Sequence, residues 1–299
     1  MIYYISRDGK DCKPLWQKVR VKPMNLYLIL DSETATMPHA MKYEGNARKK
    51  IAIAKPLIYD LGWKIIDETG KVYERKSFLI SEIFSVPSIF NTAYYVSKRP
   101  QYLEKIRKKE ISVVPWEFAI EQFMADLEKI ASVGAYNSMF DFKKALRFTE
   151  EYTSHLYSED YYEWESKQNA IIDHMVETNS FQNPNDDFDQ NNFTFRSVSI
   201  PLFDIWGLSC KYILDSDEYR EFCQTNGYVS ASGKYYKTSA ETTYQFITKN
   251  ETFEESHTAI EDCDIECQIL TEIFKKVAPN EMPMGIIYFP FRMVGRFDM

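Results

Sequence analysis

The chain has 299 residues, of which 44% are hydrophobic, so it can bury a large core as one elaborated domain or as two smaller ones. Its formal net charge of −8 argues against a generally basic protein that binds nucleic acid passively. The same charge does not exclude an enzyme that handles phosphates through metal ions held by its own carboxylates.

Cysteine usage and apolar segments limit the cellular setting. The 5 cysteines are odd in number, scattered and without C-x-x-C spacing, so neither a disulfide framework nor a zinc site is indicated. A reducing, cytoplasmic compartment fits this usage best. We expect no signal peptide, because residues 1–20 are charged throughout, and no membrane span, because the apolar stretch at 285–291 is too short.

Residues 1–24 are predicted to form an N-terminal extension. Its basic residues are Arg7, Lys10, Lys13, Lys18, Arg20 and Lys22. Two interpretations stay open for this segment: a solvated surface, or a surface that contacts a phosphate backbone.

The first strong element is the apolar run Leu26–Leu30, which is typical of a strand buried on both faces. It ends at Asp31 and Glu33, and the period of two in a strand places both carboxylates on the same side. Two ionised carboxylates side by side repel each other unless a cation lies between them. The pattern indicates half of a metal site, although the same D-x-E spacing also suits a simple loop start.

Three strands open the predicted sheet. After the first strand, residues 34–50 are polar, and we predict a loop that lies over the end of that strand. Ile58–Ile66 and Val72–Ile80 are rich in β-forming residues. The turn Asp67–Lys71 between them predicts an antiparallel hairpin next to the first strand.

A strand followed by a helix carries the next important acid. A helix is predicted to begin near Pro115, and the short strand Ser132–Tyr136 follows it. Asn137 is a good N-cap for a second helix that starts directly after this strand. Asp141 then lies in the first turn, where free N–H groups and the helix dipole favour a charged carboxylate. Junctions of this kind are where open α/β sheets place ligands.

The rest of the chain is predicted to contain an insertion, a core element and a final helix. Residues at about 151–200 alternate aromatic and acidic side chains and are interpreted as an insertion into a domain of 25–276. The apolar pattern returns at Leu202–Leu208, and an apolar stripe predicts a helix over Ala259–Lys276. Residues 277–299 are predicted to form a C-terminal tail.

His257 and Asp262 flank the start of the final helix. Thr258 and Glu261 have the spacing of a capping box, which places His257 just before the N-cap and Asp262 at the fourth helical position. These two positions normally pack together through apolar side chains, yet here they hold a histidine and an aspartate. The simplest explanation of the pair alone is a histidine that bonds an acid at a helix start.

The three acidic segments together resemble the DEDDh family of 3′→5′ exonucleases, the DnaQ-like group of the RNase H-like superfamily. They occur in the family's order: Asp31-Ser32-Glu33-Thr34, then Asn137-x-x-Phe140-Asp141, then His257-x-Ala259-x-x-Asp262. The resemblance covers residues 25–80, 115–148 and 202–276. It implies an α/β fold with a mixed sheet, in which three antiparallel-connected strands precede parallel strands and helices flank the sheet.

The resemblance also implies a role for each motif residue. Four carboxylates would hold two divalent ions, Mg²⁺ or Mn²⁺, which prefer hard oxygen ligands: Asp31, Glu33, Asp141 and Asp262. His257 would be the general base that takes a proton from the attacking water, a task that suits a group titrating near neutral pH. Thr34 and Met37 match positions that contact the terminal nucleotide in the family. Thr36 stands where the family often has a glycine, and insertions follow Met37 and Phe148.

The predicted function is a metal-dependent 3′→5′ exonuclease that releases nucleoside monophosphates from single-stranded ends. DNA is favoured over RNA, because the acidic, insertion-bearing chain looks more like a replication or repair accessory than a compact RNA-trimming enzyme. One alternative is an RNA exonuclease. Another is a non-catalytic or proofreading module that partners a polymerase or replication protein. If the protein were a module without activity, we would expect at least one of the metal-binding residues to be missing, yet all four acids and the histidine are present.

Overall fold

The computed structural model describes residues 25–181 and 189–297. The predicted N-terminal extension at 1–24 lies outside the described residues, as does the end of the predicted tail at 298–299. The described chain forms seven strands: β1 (Tyr27–Thr36), β2 (Pro56–Ile66), β3 (Val72–Ile80), β4 (Ser112–Val114), β5 (Ser132–Ala135), β6 (Asn192–Phe195) and β7 (Val198–Asp204).

The strands form one mixed sheet in the order β4-β3-β2-β1-β5-β7-β6. β1 pairs with β2 and β2 with β3 in antiparallel fashion, whereas β5 runs parallel to β1 and β7 parallel to β5. β4 lies parallel to β3 at one edge, and β6 lies antiparallel to β7 at the other. The prediction of three antiparallel-connected strands followed by parallel strands is confirmed, and the sheet is consistent with an RNase H-like fold.

Helices flank this sheet. Within the described residues they are α1 (Gly45–Ala54), α2 (Ser81–Phe84), α3 (Pro87–Phe90), α4 (Arg99–Arg107), α5 (Trp116–Leu127), α6 (Ser138–Phe140), α7 (Leu146–Leu156), α8 (Tyr161–Thr178), α9 (Ile205–Ser209), α10 (Asp217–Asn226), α11 (Ala240–Thr248), α12 (Ala259–Phe274) and α13 (Phe291–Val294). A π-helical segment, Asp141–Ala145, joins α6 to α7. In this part of the chain, no helix has the length and apolar character needed to cross a membrane.

β1 is buried because helices cover the sheet on both faces. Leu28 and Leu30 pack in one apolar cluster together with residues of α5 and α7. Tyr27 and Ile29 point the other way and pack in a second cluster with residues of α12. Asp31 continues the alternation of Tyr27 and Ile29, so it points to the face that α12 covers, and Glu33 follows it on the same face.

The predicted loop at residues 34–50 is wrong. β1 continues to Thr36, a 3₁₀ turn spans Pro38–Lys42, and α1 occupies most of the remainder. The segment is polar, but alanine, lysine and arginine are among the strongest helix formers. Ile51 anchors α1 in the core, because its side chain is fully buried. Helix propensity and one buried contact therefore outweigh the polarity that suggests a loop.

The segment at 151–200 contains a long helix and part of the sheet. α8 packs against α7 and buries Trp164 and Ile172. β6 and the first residues of β7 also fall within these limits, and both strands belong to the sheet. The predicted limits of the insertion, about 151–200, and of the domain, 25–276, remain predictions.

α12 crosses β2 at Gly62, where a larger residue does not fit. A Cβ atom on Gly62 would lie 2.7 Å from the backbone nitrogen of Ile260 and 2.8 Å from the carbonyl carbon of Ala259. Gly62 is also the partner of Asp31 across the β1–β2 ladder. The glycine therefore allows the start of α12 to lie directly on the sheet beside the first acidic residue.

We expect Gly62→Ala to lower the free energy of unfolding by about 1–3 kcal/mol, the usual cost of overpacking. Both close contacts are with backbone atoms of α12, which cannot rotate away. Glu121→Ala, at an exposed position on α5, is the control and should change stability by less than about 0.5 kcal/mol. Urea denaturation followed by circular dichroism measures both, and a Gly62→Ala protein as stable as the wild type would contradict the close approach.

Candidate active site

Asp31 and Glu33 lie where β1 extends past its parallel neighbour. β2 pairs with β1 along its whole length and places Asp60 opposite Glu33. β5 pairs with β1 from Tyr27 to Ile29, and its chain then turns into α6. The side of β1 beyond Ile29 therefore faces the helix that follows β5.

Asp141 approaches β1 from that helix. The predicted N-cap is confirmed, because the side chain of Asn137 accepts a hydrogen bond from the backbone N–H of Phe140 at 3.3 Å. Asp141 begins the π-helical segment, and such segments are frequent at functional sites. Its Oδ1 accepts a hydrogen bond from Ser32 Oγ at 2.6 Å. Asp141 is thus tied to the residue that separates Asp31 from Glu33.

The start of α12 is capped from the sheet and not by its own N-cap residue. Thr258 occupies the N-cap position without a side-chain cap bond, so the predicted capping box does not form. Its hydroxyl donates instead to the Glu261 carboxylate at 2.8 Å. The backbone N–H of Ala259 donates to Asp60 Oδ2 at 3.0 Å. β2 therefore anchors the helix start and, with it, the preceding residue His257.

His257 lies among the acids in an unusual backbone conformation. Its φ of 54° is in the left-handed region, which is uncommon for residues other than glycine. The imidazole stacks on Tyr95, with ring centroids 4.0 Å apart and an interplanar angle of 12°. Potential ligand atoms of Glu33, His257 and Asp262 all lie within 4.8 Å of one another. Burial, with a contribution from Lys98, lowers the pKa of His257, so the ring is neutral at neutral pH and can accept a proton.

The carboxylates form a mutually repulsive cluster in which Asp141 and Asp262 are buried and Asp31 and Glu33 are half-buried. Burial, followed by the charges of Glu266 and Asp141, raises the pKa of Asp31 well above its usual value. Burial and the charge of Asp262 do the same to the pKa of Glu33. Burial also raises the pKa of Asp141 to about 7 and that of Asp262 to about 8. Acids this buried and this close stay ionised only when a positive charge lies among them.

The donor set of this cluster fits divalent cations. Two buried carboxylate oxygens, Asp262 Oδ1 and Glu266 Oε2, have no hydrogen-bond partner among the residues that the structure describes. Buried oxygens without partners are costly, and a cation would satisfy them. The ligands on offer are carboxylate oxygens with one nearby imidazole, and hard oxygen ligands suit Mg²⁺ and Mn²⁺.

Three residues of this site escape the sequence-based prediction: Asp60, Tyr95 and Glu266. Asp60 is fully buried and accepts a hydrogen bond from Tyr102 Oη at 2.8 Å. Asp60 carries a detectable signal, because it is an acid inside a fully buried strand. Glu266 carries one too, because it lies three residues after Cys263 and four before Leu270, on the apolar face of α12. Tyr95 carries no comparable signal, because it lies in the connection between α3 and α4, far along the chain from His257.

The two predicted substrate contacts lie beyond the acids along β1. Thr34 is partly exposed and follows a bulge that shifts the strand register after Glu33. Met37 is 1% exposed and packs in the apolar core. Contact of either residue with a nucleotide stays a prediction, and for Met37 it requires movement of the residues that cover it.

Comparison with known proteins adds a distant likeness. No protein-family model and no curated protein matches the sequence. The chain is similar to a solved structure, that of cell-death related nuclease 4 (CRN-4), with 11% sequence identity and a TM-score of 0.39. The match covers 85% of this chain and 64% of that chain. A likeness at this level assigns neither a family nor an activity, so the function is argued from the residues of the site.

The acid cluster predicts that the metal-free protein loses stability as pH rises. The folded-state pKa values of Asp141, about 7, and Asp262, about 8, lie above the ordinary value of 3.8. The folded protein therefore holds these protons more tightly than the unfolded chain. Their contribution to stability is complete below about pH 4 and is lost as pH rises through about 7 and 8. Thermal unfolding in EDTA should give a lower Tm at about pH 8 than at about pH 5.

Two comparisons test the cause of this loss. Mn²⁺ should raise the Tm more at the higher pH, because it neutralises acids that are ionised there. Asp141→Asn keeps an oxygen that can accept the Ser32 hydrogen bond but removes one charge, so its Tm should depend less on pH. A wild-type Tm in EDTA that stays constant or rises over this pH range would contradict the proposed repulsion.

Proposed function

We propose that the protein is a metal-dependent 3′→5′ exonuclease of the DEDDh type. It would hydrolyse phosphodiester bonds at single-stranded 3′ ends and release nucleoside monophosphates. The supporting observation is that acids from three distant segments meet at one end of β1, with a neutral histidine beside them.

Four acids would hold two divalent ions, Mg²⁺ or Mn²⁺: Asp31, Glu33, Asp141 and Asp262. Bound ions would supply the positive charge that activates the attacking water and stabilises the leaving 3′ oxygen. The chain itself positions these acids rigidly, since Asp141 is tied to Ser32 and the start of α12 is tied to Asp60. Rigid ligands need no reorganisation when substrate arrives, which favours catalysis.

His257 would act as the general base. Its lowered pKa leaves the ring neutral before the reaction. One ring nitrogen lies within 4.8 Å of carboxylate oxygens of Glu33 and Asp262, and the attacking water would lie beside these acids. Against the effects of burial and Lys98, the charge of Glu241 acts to raise the pKa of His257 and so favours the imidazolium once the proton has been taken. The stack on Tyr95 keeps the ring in one plane during this transfer.

We propose single-stranded DNA as the substrate, with RNA as the alternative. Thr34 and Met37 are the proposed contacts to the terminal nucleotide. The acids alone do not distinguish the polymers, because discrimination depends on contacts to the 2′-hydroxyl. A role in replication or repair, with a polymerase or replication protein as partner, belongs to the same proposal.

Purified protein should shorten 5′-labelled single-stranded DNA from its 3′ end in the presence of Mg²⁺ or Mn²⁺ and release mononucleotides. An RNA of the same sequence, run in parallel, decides between the two polymers. EDTA and Asp31→Ala should each abolish shortening, since both remove part of the metal site. Asp217→Ala is the matched control, because that aspartate lies in the first turn of α10 with a side chain that is 98% exposed. Absence of metal-dependent shortening of both polymers would favour the non-catalytic alternative.

His257→Ala should reduce kcat by about 10²–10⁴-fold, the usual contribution of a general base. Mn²⁺ binding, measured by isothermal titration calorimetry, should be retained, since the four acids are unchanged. His155→Ala is the matched control, because that histidine lies on α7 against Trp164. Full activity of His257→Ala would contradict the assignment. Loss of Mn²⁺ binding instead would identify His257 as a metal ligand.

A further inference from the structure

α12 carries a second buried acid that the proposed mechanism does not use. Glu266 lies four residues after Asp262, so the two side chains are neighbours one helical turn apart. Glu266 is 3% exposed and lies on the face of α12 that packs on the sheet, next to the buried Cys263 and Cys267. Apolar residues normally occupy such a position, and burial of a carboxylate there demands a compensating partner.

The contacts of Glu266 leave one of its oxygens without a partner. Oε2 is buried and has no hydrogen-bond partner within the described ranges. Such an unsatisfied group costs about 1–3 kcal/mol, and more when it is charged. A cation against Oε2 would remove this cost.

Asp262 links Glu266 to the ligand group with the histidine. Potential ligand atoms of Glu33, His257 and Asp262 lie within 4.8 Å of one another, and Glu266 follows Asp262 by one helical turn. Burial and then the charge of Asp141 raise the pKa of Glu266, and burial and then the charge of Glu266 raise the pKa of Asp31. Glu266 is therefore close enough to the other acids to interact with them electrostatically.

We propose that Glu266 is a fifth carboxylate ligand of the metal centre and that its Oε2 binds an ion together with Asp262 Oδ1, the other buried oxygen without a partner in the described residues. This inference rests on the proposed function, because it adds a ligand to the same site. The rival explanation is a protonated Glu266 that donates a hydrogen bond to a neighbouring carboxylate. Glutamine imitates the protonated acid in shape and in its ability to donate. Glu266→Gln therefore separates the two explanations.

The test is Mn²⁺ binding to the full chain at neutral pH, measured by isothermal titration calorimetry. Glu266→Gln should bind Mn²⁺ at least about tenfold more weakly than the wild type. Glu272→Gln, the same change at a more exposed position on the same helix, should bind like the wild type. Thermal unfolding in EDTA should show Glu266→Gln to be at least as stable as the wild type, because a buried charge has been removed. That result excludes misfolding as the cause of weaker binding.

Glu266→Asp is the second variant and decides the matter if the glutamine variant does not fold. It keeps the charge but withdraws the carboxylate by one methylene, so Mn²⁺ binding should again weaken. Binding by a folded Glu266 variant within about twofold of the wild type would overturn this inference alone. Strong Mn²⁺ binding by a wild type that degrades neither polymer would overturn the proposed function alone. A wild type that binds no Mn²⁺ would overturn both.

Discussion

Repulsion among buried carboxylates at the end of β1 is the constraint on which the rest of the structure depends. The apolar clusters on both faces of the sheet hold Asp31 and Glu33 in place, and α12 adds Asp262 and Glu266 to the same region. Each acid costs free energy while it is unpaired, and the packing of the sheet must outweigh that cost. Under the proposed function, a divalent cation would turn the same arrangement into a strong binding site. Stability and the proposed activity are therefore linked through one set of charges.

β2 is the element that brings this arrangement together. Asp60 accepts the first N–H of α12, and Gly62 lets the helix lie directly on the strand. Both contacts hold the start of the helix at the level of the acids on β1. Tyr102 also stabilises the start of α12, since its hydroxyl donates to Asp60 and lies 3.4 Å from the carbonyl oxygen of His257. The second strand thus positions residues that the first and last motifs contribute.

Much of the fold follows from local sequence patterns, whereas some predictions are wrong because they take no account of tertiary contacts. The hairpin and the cap at Asn137 are predicted correctly, because period-two alternation and capping residues act over a few positions. The mixed sheet is also correct, but that prediction comes from the family resemblance of the three motifs. The polar segment at 34–50 becomes helical because Ile51 finds a place in the core. The cap of α12 comes from Asp60, and no pattern near Thr258 could reveal it.

The sequence alone determines that the first two acids lie on the same side of β1, that Asp141 falls in the first turn of its helix, and the order of the three motifs. Only the tertiary structure decides that Ser32 meets Asp141 across 109 residues and that Asp60 meets Ala259 across 199. It also decides that Tyr95 stacks on His257 and that one oxygen of Glu266 is left without a partner in the described structure. Periodicity and capping are properties of neighbouring residues. The identity of the acids that share a buried space depends on how distant elements pack.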